Sequence, residues 1–268
     1  MPSEERNPGF PGFWQALGIL ALLVLLELVL SFAAAGLGLR LSLGDPRSYV
    51  LSVLATGIVL SFILTYKKLG YRGLFGPGRQ SFQDAVVPIL FPLLLVCAGV
   101  FLLSWEASNL AAYVIPVSDW LVESMARMMQ GGLPSVVTIC VLAPVAEEML
   151  FRGVFLRSFL HRHRPWTAIL LSSLLFGLVH FDPGHMILAT LLGIALGWLY
   201  YVTRSLWPSV IAHAFQNAGV MLYLTLAPES VVTAEPGPIP VLPVPVLLAA
   251  AVSLWYGARR ISAAGRAK

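Results

Sequence analysis

Charged residues are scarce in this sequence. Asp, Glu, Lys and Arg make up 11% of the 268 residues, whereas 58% of the residues are hydrophobic. A soluble domain carries about 25% charged residues because its surface faces water. The apolar residues here form runs of about twenty, which is the length that a helix needs to cross a bilayer core. The sequence therefore predicts an all-α, polytopic membrane protein rather than a soluble one.

Cysteine is scarce as well. Cys97 and Cys140 are the two cysteines, and both lie in apolar runs, which argues against a disulfide framework and against a cysteine metal site. The formal net charge of +4 would suggest a nucleic-acid partner for a soluble protein. In a membrane protein an excess of basic residues reports topology instead. We therefore expect membrane lipids around the chain and no nucleic-acid partner.

About eight transmembrane helices are predicted, arranged around an intramembrane polar cavity, and residues 1–268 are expected to form a single transmembrane domain. Residues 106–132, between the third and fourth spans, are too polar to cross a bilayer and predict an amphipathic helix at the interface. The predicted spans are 14–39, 49–66, 85–105, 133–160, 166–181, 186–202, 206–226 and 241–256.

The distribution of basic residues predicts the orientation. With both termini in the cytoplasm, 13 of the 17 Lys and Arg fall in inner segments, three fall in outer segments, and Arg152 falls within a span. This distribution follows the positive-inside rule, although two arginines in the first outer loop oppose it. We expect an integral protein of a prokaryotic inner membrane with both termini in the cytoplasm.

The fourth span contains two adjacent carboxylates, Glu147 and Glu148, and an arginine, Arg152. Ionisable side chains at bilayer depth are costly and normally mark function. Glu148 and Arg152 are four residues apart, so they share a helix face and can form an ion pair. Glu147 points ~100° away and lacks that partner, which suits a general base. An ion pair that only fastens helices would explain Glu148 and Arg152 but not Glu147. Pro144 predicts a kink nearby.

Two further spans carry polar residues. His180 lies near the outer end of the fifth span, where Gly177 would let a neighbouring backbone approach closely. His213 and Asn217 are four residues apart on one face of the seventh span. Taken singly, these residues could be an interfacial histidine and an interhelical hydrogen-bonding pair. Together with Glu147 they supply the groups that a hydrolase needs, at compatible depths of ~10 to ~20 Å from the cytoplasmic side.

Two other residues receive structural interpretations. Glu27 in the first span is interpreted as a helix-packing or interfacial carboxylate. His185 follows Asp182-Pro183-Gly184, which is a turn signal, and is therefore predicted to lie in an outer loop.

Three motifs in this order resemble the signature of the CAAX protease and bacteriocin-processing (CPBP, or Abi) family, which includes the type II CAAX prenyl endopeptidases. The flanking residues also match: Ala-Pro precedes the first motif, Phe-Arg-Gly follows its glutamates, and Ser-Leu-Trp-Pro-Ser leads into the third. The resemblance covers residues 133–226, the expected catalytic core. The motifs are Glu147-Glu148-x-x-x-Arg152, Phe176-x-x-x-His180 and His213-x-x-x-Asn217.

The resemblance implies an intramembrane glutamate protease that needs no cofactor. It implies that Glu147 and His180 activate a water and that Glu148 and Arg152 support the site. It implies that a third pair, His213 and Asn217, stabilises the oxyanion. The implied substrate is a membrane-anchored or lipidated protein or peptide, with prenylated CAAX-type proteins as one class.

Two alternatives remain open at this point. A zinc-dependent intramembrane protease could use the same residues, since two histidines and a glutamate form a familiar zinc set, although the usual His-Glu-x-x-His helix is absent from the sequence. A non-enzymatic transporter or immunity-type membrane protein could use Glu147 in a proton relay. A transporter would be expected to show inverted repeats or paired broken helices, which the sequence does not indicate.

Overall fold

The structure, a computed structural model, describes residues 7–39, 41, 45–76, 81–115, 118–226 and 241–266. Within these ranges the chain forms nine long helical segments and no β-strand, which confirms the predicted all-α fold. The first and last few residues of the chain, 1–6 and 267–268, lie outside the described ranges. The helices are α1 (Phe13–Gly36), α2 (Pro46–Lys67), α3 (Phe82–Ala112), α4 (Asp119–Gln130), α5 (Gly132–Phe159), α6 (Pro165–Leu178), α7 (Pro183–Thr203), α8 (Leu206–Leu226) and α9 (Val244–Arg266).

The chain is an integral membrane protein. Helices α1, α2, α3, α5, α7 and α9 are long and apolar enough to cross a bilayer. Helix α6 is apolar but has 14 residues, and α8 has 21 residues and carries the polar side chains of the third motif. Large apolar side chains cover the outer surface: Trp14, Phe32 and Phe62 are 78%, 77% and 74% exposed. Apolar surface on this scale is stable against lipid and not against water.

The helices coincide with the eight predicted spans and differ from them mainly at their ends. Helix α3 continues to Ala112, so Glu106 lies within the third long helix and not in the separate interfacial helix predicted for residues 106–132. The reason is that the Glu106 carboxylate is buried and accepts a hydrogen bond from the Leu242 backbone N–H, 3.1 Å away. The predicted interfacial helix is α4, which begins where the Ser118 side chain accepts from the Leu121 N–H.

Two apolar cores meet at helices α7 and α8. One core packs α1, α2, α5 and α6 against α7 and α8, and the other packs α3 and α9 against the same two helices. Helices α3 and α9 approach each other closely at Gly99, where a Cβ atom would lie 2.7 Å from the Ala250 carbonyl oxygen. The three motifs lie on α5, α6 and α8, so the candidate site belongs to the first core.

Helix α5 departs from regular α-helical winding on both sides of the two glutamates. Wider π-turns occupy Thr138–Leu142 and Met149–Leu156, and the segment Ala143–Glu148 between them is α-helical. In the first wide turn the Ala143 N–H donates to the Thr138 carbonyl, five residues back. Pro144 has no N–H to continue this register, so the carbonyl of Ile139 needs another donor. The sequence predicted a kink at Pro144, and the structure has a widened turn before it. Such turns are frequent at functional sites.

Candidate active site

Glu148 is the buried centre of the candidate site. Its Oε1 accepts a hydrogen bond from Arg152 Nη1 at 2.7 Å, and both side chains are 0% exposed, so the predicted ion pair is confirmed. The same guanidinium donates through Nη2 to the Gly193 carbonyl of α7 at 3.0 Å and lies 4.6 Å from the centre of the Phe176 ring. Arg152 therefore joins α5 to both α6 and α7, and its charge is compensated by a carboxylate, a carbonyl dipole and an aromatic face.

His213 lies between the two glutamates. Its Nδ1 is 2.9 Å from Glu148 Oε1, and its Nε2 is 3.7 Å from Glu147 Oε2. An ionised carboxylate only accepts, so Nδ1 of His213 carries the proton in the bond to Glu148. This bond fixes the ring with Nε2 turned toward Glu147. The sequence predicted the helical pair His213–Asn217 but not these contacts to the glutamates.

Glu147 differs from its neighbour in exposure. Its side chain is 33% exposed, whereas Glu148 is fully buried. Glu27 of α1 and Tyr49 of α2 are close enough to interact electrostatically with the Glu147 carboxylate. Glu27 accepts a hydrogen bond of 2.6 Å from Ser52, which confirms the helix-packing interpretation of Glu27. Helices α1 and α2 therefore border the site, which the motifs alone did not predict.

His180 is oriented by its own helix end. Its Nδ1 lies 2.8 Å from the Phe176 carbonyl oxygen, and because a carbonyl only accepts, Nδ1 is protonated and Nε2 of the neutral ring is an acceptor. The Phe176 ring contacts both histidines, with centroids 5.1 Å from His180 and 5.5 Å from His213. Phe176 thus links the second and third motifs. The predicted close approach at Gly177 is confirmed, since a Cβ atom there would lie 2.6 Å from the Met186 carbonyl oxygen.

Asn217 holds the widened turn of α5. Its Nδ2 donates to the Ile139 carbonyl at 2.8 Å, the carbonyl that Pro144 leaves without a donor in this register. A carboxamide has two N–H donors, so this bond leaves one for another acceptor. Asn217 therefore has a structural contact that the sequence did not predict, alongside its predicted role.

His185 is the residue that the sequence placed wrongly. It lies in the first turn of α7 and not in a loop, and its ring centroid is 4.4 Å from that of His180. Helix α7 begins three residues before the predicted span because Asp182 caps it and Pro183 occupies its first position. The same three residues that indicated a turn are also a helix-start signal, which would have placed His185 correctly.

Comparison with known proteins identifies the family. Residues 129–219, which contain all three motifs, match the family model described as "Type II CAAX prenyl endopeptidase Rce1-like". The Bacillus subtilis (strain 168) protein named "Putative membrane peptidase YdiL" is 30% identical over 229 residues, which cover 82% of this chain and 75% of that protein. The chain belongs to the CPBP family. This family is one of membrane proteases, so the three motifs are those of a hydrolase acting on peptide bonds.

Two other relatives match shorter segments. The Lactococcus lactis subsp. lactis (strain IL1403) "UPF0177 protein YbdI" is 30% identical over 132 residues, covering 46% of this chain and 67% of that protein. An Escherichia coli "Uncharacterized 24.3 kDa protein" is 33% identical over 143 residues, covering 51% of this chain and 62% of that protein. No solved structure matches the chain.

Proposed function

We propose that this CPBP protein is an intramembrane endopeptidase in which Glu147 and His180 activate the water that attacks the peptide bond. The observation that carries the proposal is the difference between the two adjacent glutamates. Glu148 is fully buried and bonded to Arg152, whereas the Glu147 side chain is 33% exposed beside His213. A paired, buried carboxylate is committed to structure, and a partly accessible one can take up a proton during the reaction.

The proton transfers follow from this arrangement. The water oxygen bonds to the carbonyl carbon of the scissile peptide as the water gives one proton to the Glu147 carboxylate. His180 can assist because its Nδ1–H donates to the Phe176 carbonyl and its Nε2 is left as an acceptor. The protonated base then returns the proton to the departing amine nitrogen, the C–N bond breaks, and the carboxylate is restored.

His213 and Asn217 are proposed to stabilise the oxyanion. The bond from His213 Nδ1 to Glu148 orients Nε2 toward Glu147, and a protonated Nε2 there is a donor beside the reacting carbonyl. The two histidines differ in the partner of Nδ1, which is the Glu148 carboxylate for His213 and the Phe176 carbonyl for His180, and this difference separates their proposed roles. Asn217 can contribute its second N–H while the first bonds to Ile139.

The proposed substrates are membrane-anchored or lipidated proteins or peptides, with prenylated CAAX-type proteins as one class. The support is the placement of the site among membrane-spanning helices and the family match over residues 129–219. We also propose an inner-membrane location with cytoplasmic termini, in line with the basic residues of the inner segments.

The proposed reaction needs no metal ion. Among the residues that the structure describes, no three His, Cys, Asp or Glu side chains are grouped so that they could hold one. Metal analysis of the purified active protein, with chelation followed by zinc addition, tests this point. Stoichiometric zinc, and activity lost on chelation and restored by zinc, would establish the zinc protease instead.

A reconstituted assay tests the proposed function. Purified wild type and Glu147→Gln are placed in liposomes with fluorogenic peptides that carry a farnesylated cysteine, or with the same peptides lacking the lipid. Wild type is expected to cleave the lipidated peptide and Glu147→Gln is not. In parallel, membrane fractions of cells producing either protein are compared by mass spectrometry for truncated proteins. If no peptide and no membrane protein is cleaved in a Glu147-dependent way, the proposal is wrong.

A further inference from the structure

A short turn between α6 and α7 brings His185 back onto His180. The two rings meet edge to face, with centroids 4.4 Å apart and planes inclined by 66°. The His180 ring also meets Phe176, with centroids 5.1 Å apart and an angle of 74°. His180 therefore contacts two rings, while its Nδ1 is fixed by the Phe176 carbonyl.

The turn is held in an unusual conformation. Phe181 has φ +59°, the left-handed region, which a bulky residue adopts only with backbone strain. Several bonds fix this conformation. The Asp182 N–H donates to the His180 carbonyl at 2.7 Å, and the Asp182 carboxylate accepts from the His185 N–H at 3.0 Å and from the Ser118 hydroxyl at 2.7 Å. A strained backbone of this kind persists where the surrounding contacts determine it, and such sites are often functional.

Helix packing holds the other side of the turn. A Cβ atom at Gly177 would lie 2.6 Å from the Met186 carbonyl oxygen, so α6 and α7 are in backbone contact one residue beyond His185. The separation of His180 and His185 is therefore fixed by the capped turn and by this contact. The backbone positions of His180 and His185 therefore do not depend on the contact between their side chains.

We propose that His185 is a positioning residue, whose ring fixes the orientation of the His180 imidazole and hence of its free Nε2. The consequence for catalysis rests on the proposed function, in which that Nε2 assists water activation. The ring contact itself does not depend on the proposed function. His185 acts through His180 and need not touch the substrate.

The side chain of His185 can be changed without removing the cap of α7, because its backbone N–H and not its ring bonds to Asp182. His185→Ala removes the ring contact. His185→Phe keeps a ring of similar shape without ring nitrogens, so it separates packing from proton chemistry. His161→Ala, in an exposed turn at the opposite end of α6 from His180, is the matched control for loss of a histidine.

Two measurements test the proposal. In cleavage assays His185→Ala is expected to lower kcat about tenfold or more with KM within about twofold, because a misoriented catalytic group slows the chemical step more than it weakens binding. His185→Phe should restore most of kcat, and both variants should unfold at the wild-type temperature. In parallel, diethyl pyrocarbonate labels histidines, and mass spectrometry follows the labelling rate of His180. That rate should rise several-fold in His185→Ala and stay near wild type in His185→Phe and His161→Ala.

Three outcomes would overturn the positioning role: unchanged labelling of His180 in His185→Ala, equal kcat in His185→Ala and wild type, or equal loss of kcat in the alanine and phenylalanine variants. His180→Ala distinguishes failure of the proposed function from failure of this proposal. If His180→Ala still cleaves at the wild-type rate, water activation by His180 is wrong. The labelling experiment then still decides whether His185 fixes the ring.

Discussion

Glutamine in place of Glu147 or Glu148, one at a time, is expected to produce two different defects. The two residues are adjacent, and the substitution is chemically the same. Their surroundings differ: the Glu148 carboxylate is 0% exposed and accepts from Arg152 and His213, whereas the Glu147 side chain is 33% exposed. The comparison is therefore an internal control for the size and polarity of the new side chain.

The expected loss of stability follows from the contacts of Glu148. Glu148→Gln leaves the fully buried Arg152 guanidinium without its anion, and removal of one partner of a buried ion pair costs about 3–5 kcal/mol. At roughly 2–4 °C per kcal/mol, this predicts that the thermal unfolding temperature falls by about 10 °C or more. Glu147→Gln should change the unfolding temperature by no more than a few degrees. It should lower kcat by about 10²–10⁴-fold because the general base is gone.

The protein contains its own probes for the stability measurement. Cys97 and Cys140 are free and buried, at 1% and 8% exposure, so a thiol-reactive fluorophore reports unfolding in detergent without added labels. Cleavage of the farnesylated peptide in liposomes gives the rates. If Glu147→Gln and Glu148→Gln have equal unfolding temperatures and equal activities, the assignment of a structural and a catalytic glutamate is refuted.

Three further predictions address the oxyanion, the topology and the turn before α7. Asn217→Ala should lower kcat about 100-fold with little change in KM, as loss of an oxyanion donor does, and Asn217→Asp should be at least as harmful in the same assay. A cysteine at Glu123 should react with a membrane-impermeant thiol reagent added outside, and a cysteine at Ala263, an exposed position of α9, should not; the reverse pattern would invert the topology. Burial would raise the pKa of Asp182, but hydrogen bonds from the His185 N–H and the Ser118 hydroxyl hold that pKa below its ordinary value of 3.8. The stability from Asp182 is then present above that value and lost as the pH falls through the lower folded value. Asp182→Ala should cost about 1 kcal/mol at neutral pH and remove this acid dependence, as measured by thermal unfolding between about pH 6 and about pH 2.

The sequence predicted the local part of the site well. The Glu148–Arg152 pair and the shared face of His213 and Asn217 depend only on residues four apart in one helix, and helical geometry fixes such neighbours. The helices themselves were predictable because about twenty apolar residues in a row have few other solutions in a bilayer. The family motifs then predicted that these residues belong to one site.

The remaining contacts depend on packing between distant parts of the chain. The bond from His213 to Glu148 joins residues 65 apart in sequence, and the bond from Asn217 to Ile139 joins residues 78 apart. The presence of Pro144 in the sequence predicted a disturbed helix. It did not indicate that Asn217 of α8 would donate the hydrogen bond to the Ile139 carbonyl. The sequence analysis placed His185 in a loop because Asp182-Pro183-Gly184 is a signal both for a turn and for the start of a helix. The hydrogen bonds that the Asp182 carboxylate accepts from Ser118 and from the His185 N–H decide between the two.

The two apolar cores that share α7 and α8 set the candidate site apart from the α3–α9 pair. Helices α3 and α9 pack on α7 and α8 through the second core, whereas the neighbours of the two glutamates in α5 belong to the first. A substitution on the outer surface of α3 or α9 is therefore expected to change stability without changing the contacts among Glu147, Glu148 and His213.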